Sequence, residues 1–179
     1  PAPQARNTIE ALVKSGAIVG ELATAWTEKL EQETKVKEMR AKAEGGDGQA
    51  MHLLGVWYRF GENGLAKDSA QARAWYERSA AARYPKGLAS FGEYLLGGIG
   101  GPKDTTLGLV MVTQAAELGS DIGAYRLGKA FFKGGHGLSK DRVQARLWLK
   151  KIVDGECEYK HLNHAGRANA AKWLGELDE

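Results

Sequence analysis

Apolar residues in this chain recur at helical spacing, and one arrangement of them returns every 36 or 37 residues. Leu54-Gly55, Phe91-Gly92 and Leu127-Gly128 stand in step. Trp75, Met111 and Trp148 follow at the same interval, as do the small residues Ala72, Gly108 and Ala145. Lys67-Asp68, Lys103-Asp104 and Lys140-Asp141 precede each of these sets, and Gly61, Gly98 and Gly134 mark a turn before them. The middle turn is one residue shorter, which accounts for the alternation of the step. Each unit reads as two helices, so the spacing predicts an all-α fold. The first helices are expected over 48–60, 85–96 and 121–132, and the second over 69–83, 105–118 and 142–153.

The turns supply their own punctuation. Glycine takes the positive φ that ends a helix without a Cβ clash. The Asp of each Lys-Asp pair then caps the next helix by accepting from a free backbone N–H. Asp68 with Gln71 and Asp141 with Gln144 have capping-box spacing, whereas Asp104 is followed at that offset by Leu107. Gly55, Gly92 and Gly128 fall inside helices, where each costs ~1 kcal/mol against alanine. A cost repeated at one register predicts a close helix–helix approach, with Ala72, Gly108 and Ala145 as the facing small positions. A pair of helices cannot bury its apolar faces alone, so neighbouring units must stack.

These residues carry a family resemblance. The run from Ala50 through Leu54-Gly55, Tyr58 and Gly61, then Gly64-Leu65, Lys67-Asp68, Ala72, Trp75-Tyr76 and Ala80-Ala81, resembles the Sel-one-like repeat (SLR) family, a branch of the tetratricopeptide superfamily. The second copy departs at Leu95 and Met111, the third at Phe131 and Ile152-Val153. The resemblance implies a right-handed α-solenoid of about three helix-hairpin repeats that acts as a non-enzymatic adaptor or scaffold. The expected layout is an N-terminal helical arm or cap over 1–43, repeats over 44–158 (about 44–84, 85–120 and 121–158), and a C-terminal capping helix over 159–179. The arm reads as two helical pieces meeting near 15–20, with Leu22, Trp26, Leu30, Val36, Met39 and Ala43 as a rough apolar face. It is expected either to cap the first repeat or to pair with another chain.

Composition narrows the chemistry. The 179 residues carry a net charge of +3, too mild to argue for nucleic acid, and 24 glycines that the repeat turns and helix contacts explain. The densest basic group is Arg142, Arg146, Lys150, Lys151 and Lys160, and the tryptophans hold repeat-core positions, so no nucleic-acid partner is expected. No stretch approaches the ~18 apolar residues of a membrane span. The single cysteine precludes an internal disulfide framework. The chain begins at Pro1 rather than Met. It is therefore expected to be a cleaved product or part of something longer, and an intracellular setting, cytoplasmic or organellar, is expected.

Cys157, His161 and His164 stand at i, i+4 and i+7, one face of a continuous helix, and are the candidate metal ligands. Four ligands are usual, so Glu156 or Glu158 would have to join. The expectation is a buried cysteine beside surface histidines, with no metal and no cofactor. Cys157 with His161 makes a poor nucleophile pair, since no helix N-terminus or cation is placed to lower the thiol. The run from Gly97 to Asp104 lacks the phosphate-loop spacing and is a repeat turn.

The resemblance places a partner-binding groove on the first helices. Carried over, its positions are His52, Val56, Arg59 and Phe60 in the first unit, Glu93 and Leu96 in the second, and Tyr125, Lys129, Phe132 and Lys133 in the third. Aromatics beside cations suit a peptide or helix with apolar and acidic side chains. The competing reading of Phe60 and Phe132 is that they fill gaps between repeats. The alternative function is a structural accessory subunit embedded in a larger assembly.

Overall fold

The computed structural model describes residues 3–178. Among them nine helices follow in order: α1 (Pro3–Lys14), α2 (Glu21–Glu44), α3 (Gly48–Phe60), α4 (Ser69–Ala81), α5 (Pro85–Gly97), α6 (Thr105–Glu117), α7 (Asp121–Lys133), α8 (Arg142–Val153) and α9 (His164–Asp178). The only β pairing among the described residues is two isolated bridges. Each helix from α2 onward packs on the next, and α3, α5, α7 and α9 also touch one another in turn. That second set of contacts curls the array toward the first helix of each repeat, which forms the inner face, and leaves α4, α6 and α8 outside.

Each hairpin is closed by its capping aspartate in two ways. Asp68 Oδ1 accepts from Ala70 N and Gln71 N, Asp104 Oδ1 from Leu107 N, and Asp141 Oδ1 from Gln144 N. The backbone N–H of the same residues donates back to the preceding helix, to Tyr58 O at 2.8 Å, Leu95 O at 3.0 Å and Phe131 O at 3.0 Å. That N–H is the one a capping box would give to Gln71 or Gln144. The reciprocal half of the box is therefore not made, and Asp104 with Leu107 closes its hairpin as the others do.

The mid-helix glycines sit at close contacts: Gly92 meets the expected Gly108 across the helix pair, and the nearest side chain at all three glycines comes from one turn beyond the expected small residue. A Cβ on Gly55 would lie 2.5 Å from the Tyr76 ring, one on Gly92 2.6 Å from Val112, and one on Gly128 2.7 Å from Leu149. Tyr76, Val112 and Leu149 keep the repeat step but lie four residues beyond Ala72, Gly108 and Ala145. A helical side chain leans toward its own N-terminus, so the branched residue one turn later reaches over the glycine. Ala72 and Ala145 are fully buried beside this contact.

The ends are built differently from each other. In α2 the expected apolar face splits in two: Val36 and Ala43 are buried with Met39 against them in the core of the first repeat, while Trp26 and Leu30 are half-buried and Leu22 is exposed. At the other end the capping helix starts at His164, not near 159. Tyr159 pairs instead with the turn before α7: its N–H reaches Gly119 O at 3.0 Å and its O accepts from Asp121 N at 3.1 Å. Asp121, 1% exposed, takes His161 N at 2.9 Å, Leu162 N at 2.8 Å and the Arg167 guanidinium at 2.9 Å. Those amide donors are spent on a carboxylate across the fold, so the chain runs extended there. Asn163 Oδ1 then caps α9 by accepting from Gly166 N at 2.8 Å. α9 lies against α8 and touches α7, where the first helix of a fourth repeat would stand.

Candidate functional site

The extended path of the C-terminal segment removes the basis for a metal cluster. Cys157 is buried in the loop after α8, 3.6 Å from Lys151 O, and burial pushes its thiol above the ordinary value. His161 lies in the extended stretch and His164 opens α9, so the three share no helix face. Among the described residues no group of three His, Cys, Asp or Glu side chains is placed to hold a metal ion.

The inner face carries a different arrangement. Glu93, at the centre of α5, accepts on one oxygen from two arginines: Arg126 Nη2 of α7 at 2.6 Å and Arg59 Nη1 of α3 at 3.4 Å. The three side chains tie three successive repeats together. Sequence reasoning found Arg59 and Glu93 but missed Arg126. The signal was available: the three charges stand 34 and 33 residues apart, about one helical turn short of the repeat step at each stage. A row that slips one turn per repeat runs diagonally across the first helices. The Nε of Arg126 is buried without an acceptor.

Around this row the inner helices are basic. α3, α5 and α7 contain five basic residues, Arg59, Lys86, Arg126, Lys129 and Lys133, against two acidic ones, Glu93 and Asp121. Both acids are already paired with arginine. The histidines register the same field. His52 is lowered to about 4, by burial first and then by Lys86 and His161, and its Nε2 lies 3.3 Å from Ser90 Oγ. His136 is lowered by burial, Lys103, Lys129 and Arg126, and His161 by burial and Lys86.

The expected groove residues divide into open and occupied. Phe60 is 59% exposed, with the Arg59 guanidinium 5.2 Å from its ring centre. Lys129 and Lys133 are exposed, and His52, Val56, Arg59 and Glu93 are half-buried on the inner face. Leu96 instead turns into the core at 8% exposure, over Gly108. Tyr125 and Phe132 are taken up by α9: each stacks on Trp173, with centroids 5.5 and 5.6 Å apart, and Lys133 Nζ lies 5.1 Å from the same ring. The gap-filling reading thus holds for Phe132 and not for Phe60. A hollow of about 440 Å³ remains between α7 and the start of α9, lined by Tyr125, Arg126, Lys129, His161, Asn163 and Asn169. Its polar groups are mostly donors, which suits an acceptor-rich ligand.

A family model described as Sel1 repeat matches the chain over residues 48–84, 87–120 and 122–155. Among solved structures the chain is similar to a Sel1 repeat protein from Oxalobacter formigenes, with 28% identity and a TM-score of 0.62 over 78% of this chain and 98% of that one. It is also similar to a protective antigen present in uropathogenic Escherichia coli strains that displays an SLR fold, with 25% identity and a TM-score of 0.59. That match covers 86% of this chain but only 33% of the antigen. No curated protein matches the chain.

Proposed function

We propose, from the premise that this chain belongs to the Sel1 repeat family, that it is a non-enzymatic adaptor holding an acidic segment of a protein partner against its inner face. The observation that carries this reading is the charge of that face. Its two carboxylates are neutralised within the fold by Arg59, Arg126 and Arg167, and Lys86, Lys129 and Lys133 are left over. Phe60, exposed at one end of the row, offers an apolar anchor beside a cation, the composition of binding hot spots. An extended or helical segment with one aromatic or aliphatic side chain and two or more carboxylates fits both features. The test is fluorescence anisotropy of labelled peptides of one length and opposite charge. The reading expects the acidic-aromatic peptide to bind at least tenfold more tightly than its lysine counterpart, and equal affinities would reject it.

One observation favours a second reading, an accessory subunit within a larger assembly. Leu107 and Val110 on α6, and Val143 and Leu147 on α8, are exposed on the outer face, with Val110 and Leu147 at the same register. The corresponding positions on α4 are Ala70, Gln71 and Ala74. An apolar strip confined to two repeats suits a contact made through the outer helices. Mutating this strip to glutamate separates the two readings: it leaves peptide binding intact in the first and dissociates the assembly in the second.

A further inference from the structure

One side-chain position differs between the junctions of the repeats. Arg73, Leu109 and Arg146 stand one repeat step apart on α4, α6 and α8. Arg73 lies across the turn of the next unit, its Nη1 donating to Ile99 O at 3.4 Å and to Pro102 O at 2.9 Å. Arg146 does the same toward the end of α9, its Nη2 donating to Leu177 O at 2.6 Å. At the junction between these two the residue is Leu109, which has neither the length nor the donors to span it. The turn that follows also has Gly135 where the earlier one has Ile99, a side chain packed against the core beneath it. Two side chains that fill the first junction thus have no equivalent at the second, and a pocket of about 180 Å³ opens there.

The pocket is apolar within and cationic at its mouth. Leu96, Leu109, Val112 and Leu127 form its walls, and three of these four are buried. Arg126, Lys129 and His136 also line it, the last two exposed, and among the described residues no carboxylate does. His136 is lowered by burial first and then by Lys103, Lys129 and Arg126, so cations surround the mouth. Glu93 takes one nitrogen of Arg126, whose Nε is buried without an acceptor. Arg126 and Lys129 line the hollow beside α9 as well, which sets the mouth on the inner face. An occupant must therefore be apolar at its inner end and anionic where it emerges. A dry cavity of about 150 Å³ with aliphatic and aromatic walls holds benzene, so a leucine-sized group fits. A bare anion drawn inside would lose its water to aliphatic walls.

We propose that the pocket between the second and third repeats is a second anchor site for the partner segment, taking an aliphatic side chain of leucine or methionine size while a neighbouring carboxylate meets Lys129 and Arg126. This rests on the peptide reading and adds a position to it. Phe60 has the register of Gly97 and Lys133, so it marks the same edge of the inner face. The pocket lies about one and a half first-helix spacings away, about 14 Å at 8–10 Å each. An extended chain covers that distance in about four residues, and an even count returns the side chain to the same face. The motif recognised is an aromatic and an aliphatic residue about four apart, with carboxylates beside the second.

The test has two arms. Methyl-resolved NMR of the full chain is followed during titration with isocaproate, a leucine-sized chain bearing a carboxylate, and with isohexylamine. Isocaproate is expected to shift the methyls of Leu109, Val112 and Leu127, and the amine to leave them in place. Labelled acidic peptides with one phenylalanine and, about four residues on, leucine or alanine are compared by anisotropy. The leucine peptide is expected to bind about tenfold more tightly. Leu109→Arg, which copies the other two junctions, and the uncharged Leu109→Phe are each expected to bring that ratio within about twofold, with far-UV dichroism unchanged; the charge of the arginine cancels in the ratio. Pocket methyls that ignore isocaproate or answer the amine equally, a ratio near one in the wild type, or a ratio that survives both Leu109 variants would overturn the proposal. Acidic and lysine peptides of equal affinity, with the methyls still answering isocaproate, would reject the peptide reading alone and leave the pocket as a site for an aliphatic carboxylate.

Discussion

Gly92 and Gly108 face each other across the α5–α6 contact. A Cβ on either would press on the other's carbonyl oxygen, at 2.9 Å from Gly108 O and 3.1 Å from Gly92 O. Backbone cannot swing aside as a side-chain end can. Gly92→Ala is therefore expected to destabilise the fold by roughly 1–3 kcal/mol through overpacking, despite alanine's better helix propensity. Gly175, in α9, has nothing within 4 Å of its Cβ position. Gly175→Ala is expected to stabilise by up to about 1 kcal/mol. Urea denaturation of the two variants gives opposite signs if the contact is as described, and the same sign if it is not.

Asp121 is the peg on which the C-terminal segment hangs. Asp121→Ala removes a buried carboxylate and leaves two amide donors and Arg167 without it. Losing one partner of a buried ion pair costs about 3–5 kcal/mol, and Arg167's partial exposure sets the expectation near the lower end, about 3 kcal/mol. Hydrogen exchange makes the effect local. The amides of His161 and Leu162 are expected to lose protection in the variant while those of α3 and α4 keep theirs.

His52 sets an acid limit. Its folded value of about 4 lies below the ordinary 6.5. Between these two values the unfolded chain binds the extra proton, so stability is complete above about 6.5 and is lost as pH falls toward 4. The loss is on the order of 3 kcal/mol at most. Melting curves of the wild type and His52→Gln, taken from pH 7 to pH 4, are expected to converge as pH falls. Parallel curves would remove His52 from the account.

Charge reversal on the inner face should act on binding and spare the fold. Arg59→Glu with Lys129→Glu replaces two cations that are half-buried and exposed, respectively. The acidic-aromatic peptide is expected to bind about tenfold more weakly or worse, a change of about 1.4 kcal/mol in affinity. The melting temperature is expected to move by only a few degrees, because surface ion pairs contribute about 0–1 kcal/mol. An unchanged peptide affinity would move the contact off this face.

The repeats were legible because each marker answers to a local rule: a glycine where two helices meet, an aspartate at a helix start, a glycine where a helix ends. Their boundaries in the structure fall within two residues of the expected ones. The C-terminal segment was not legible, since its course depends on Asp121 some 40 residues earlier in sequence, and no periodicity encodes a carboxylate reaching across the fold. The inner face lay between these cases. Arg59 and Glu93 stood out as charges at groove positions, but Arg126 occupies a register that the repeat formula does not single out. Tyr125 and Phe132 read as exposed because the arrival of Trp173 from α9 is a tertiary fact.

The Arg59–Glu93–Arg126 row crosses three repeats on the shorter side of a bent rod. Straightening the rod lengthens that side first, so the row acts as a tendon. A ligand carboxylate that drew Arg126 away from Glu93 would slacken it, and how tightly such a ligand is held and how far the rod can flex would then be settled by a contest for one guanidinium.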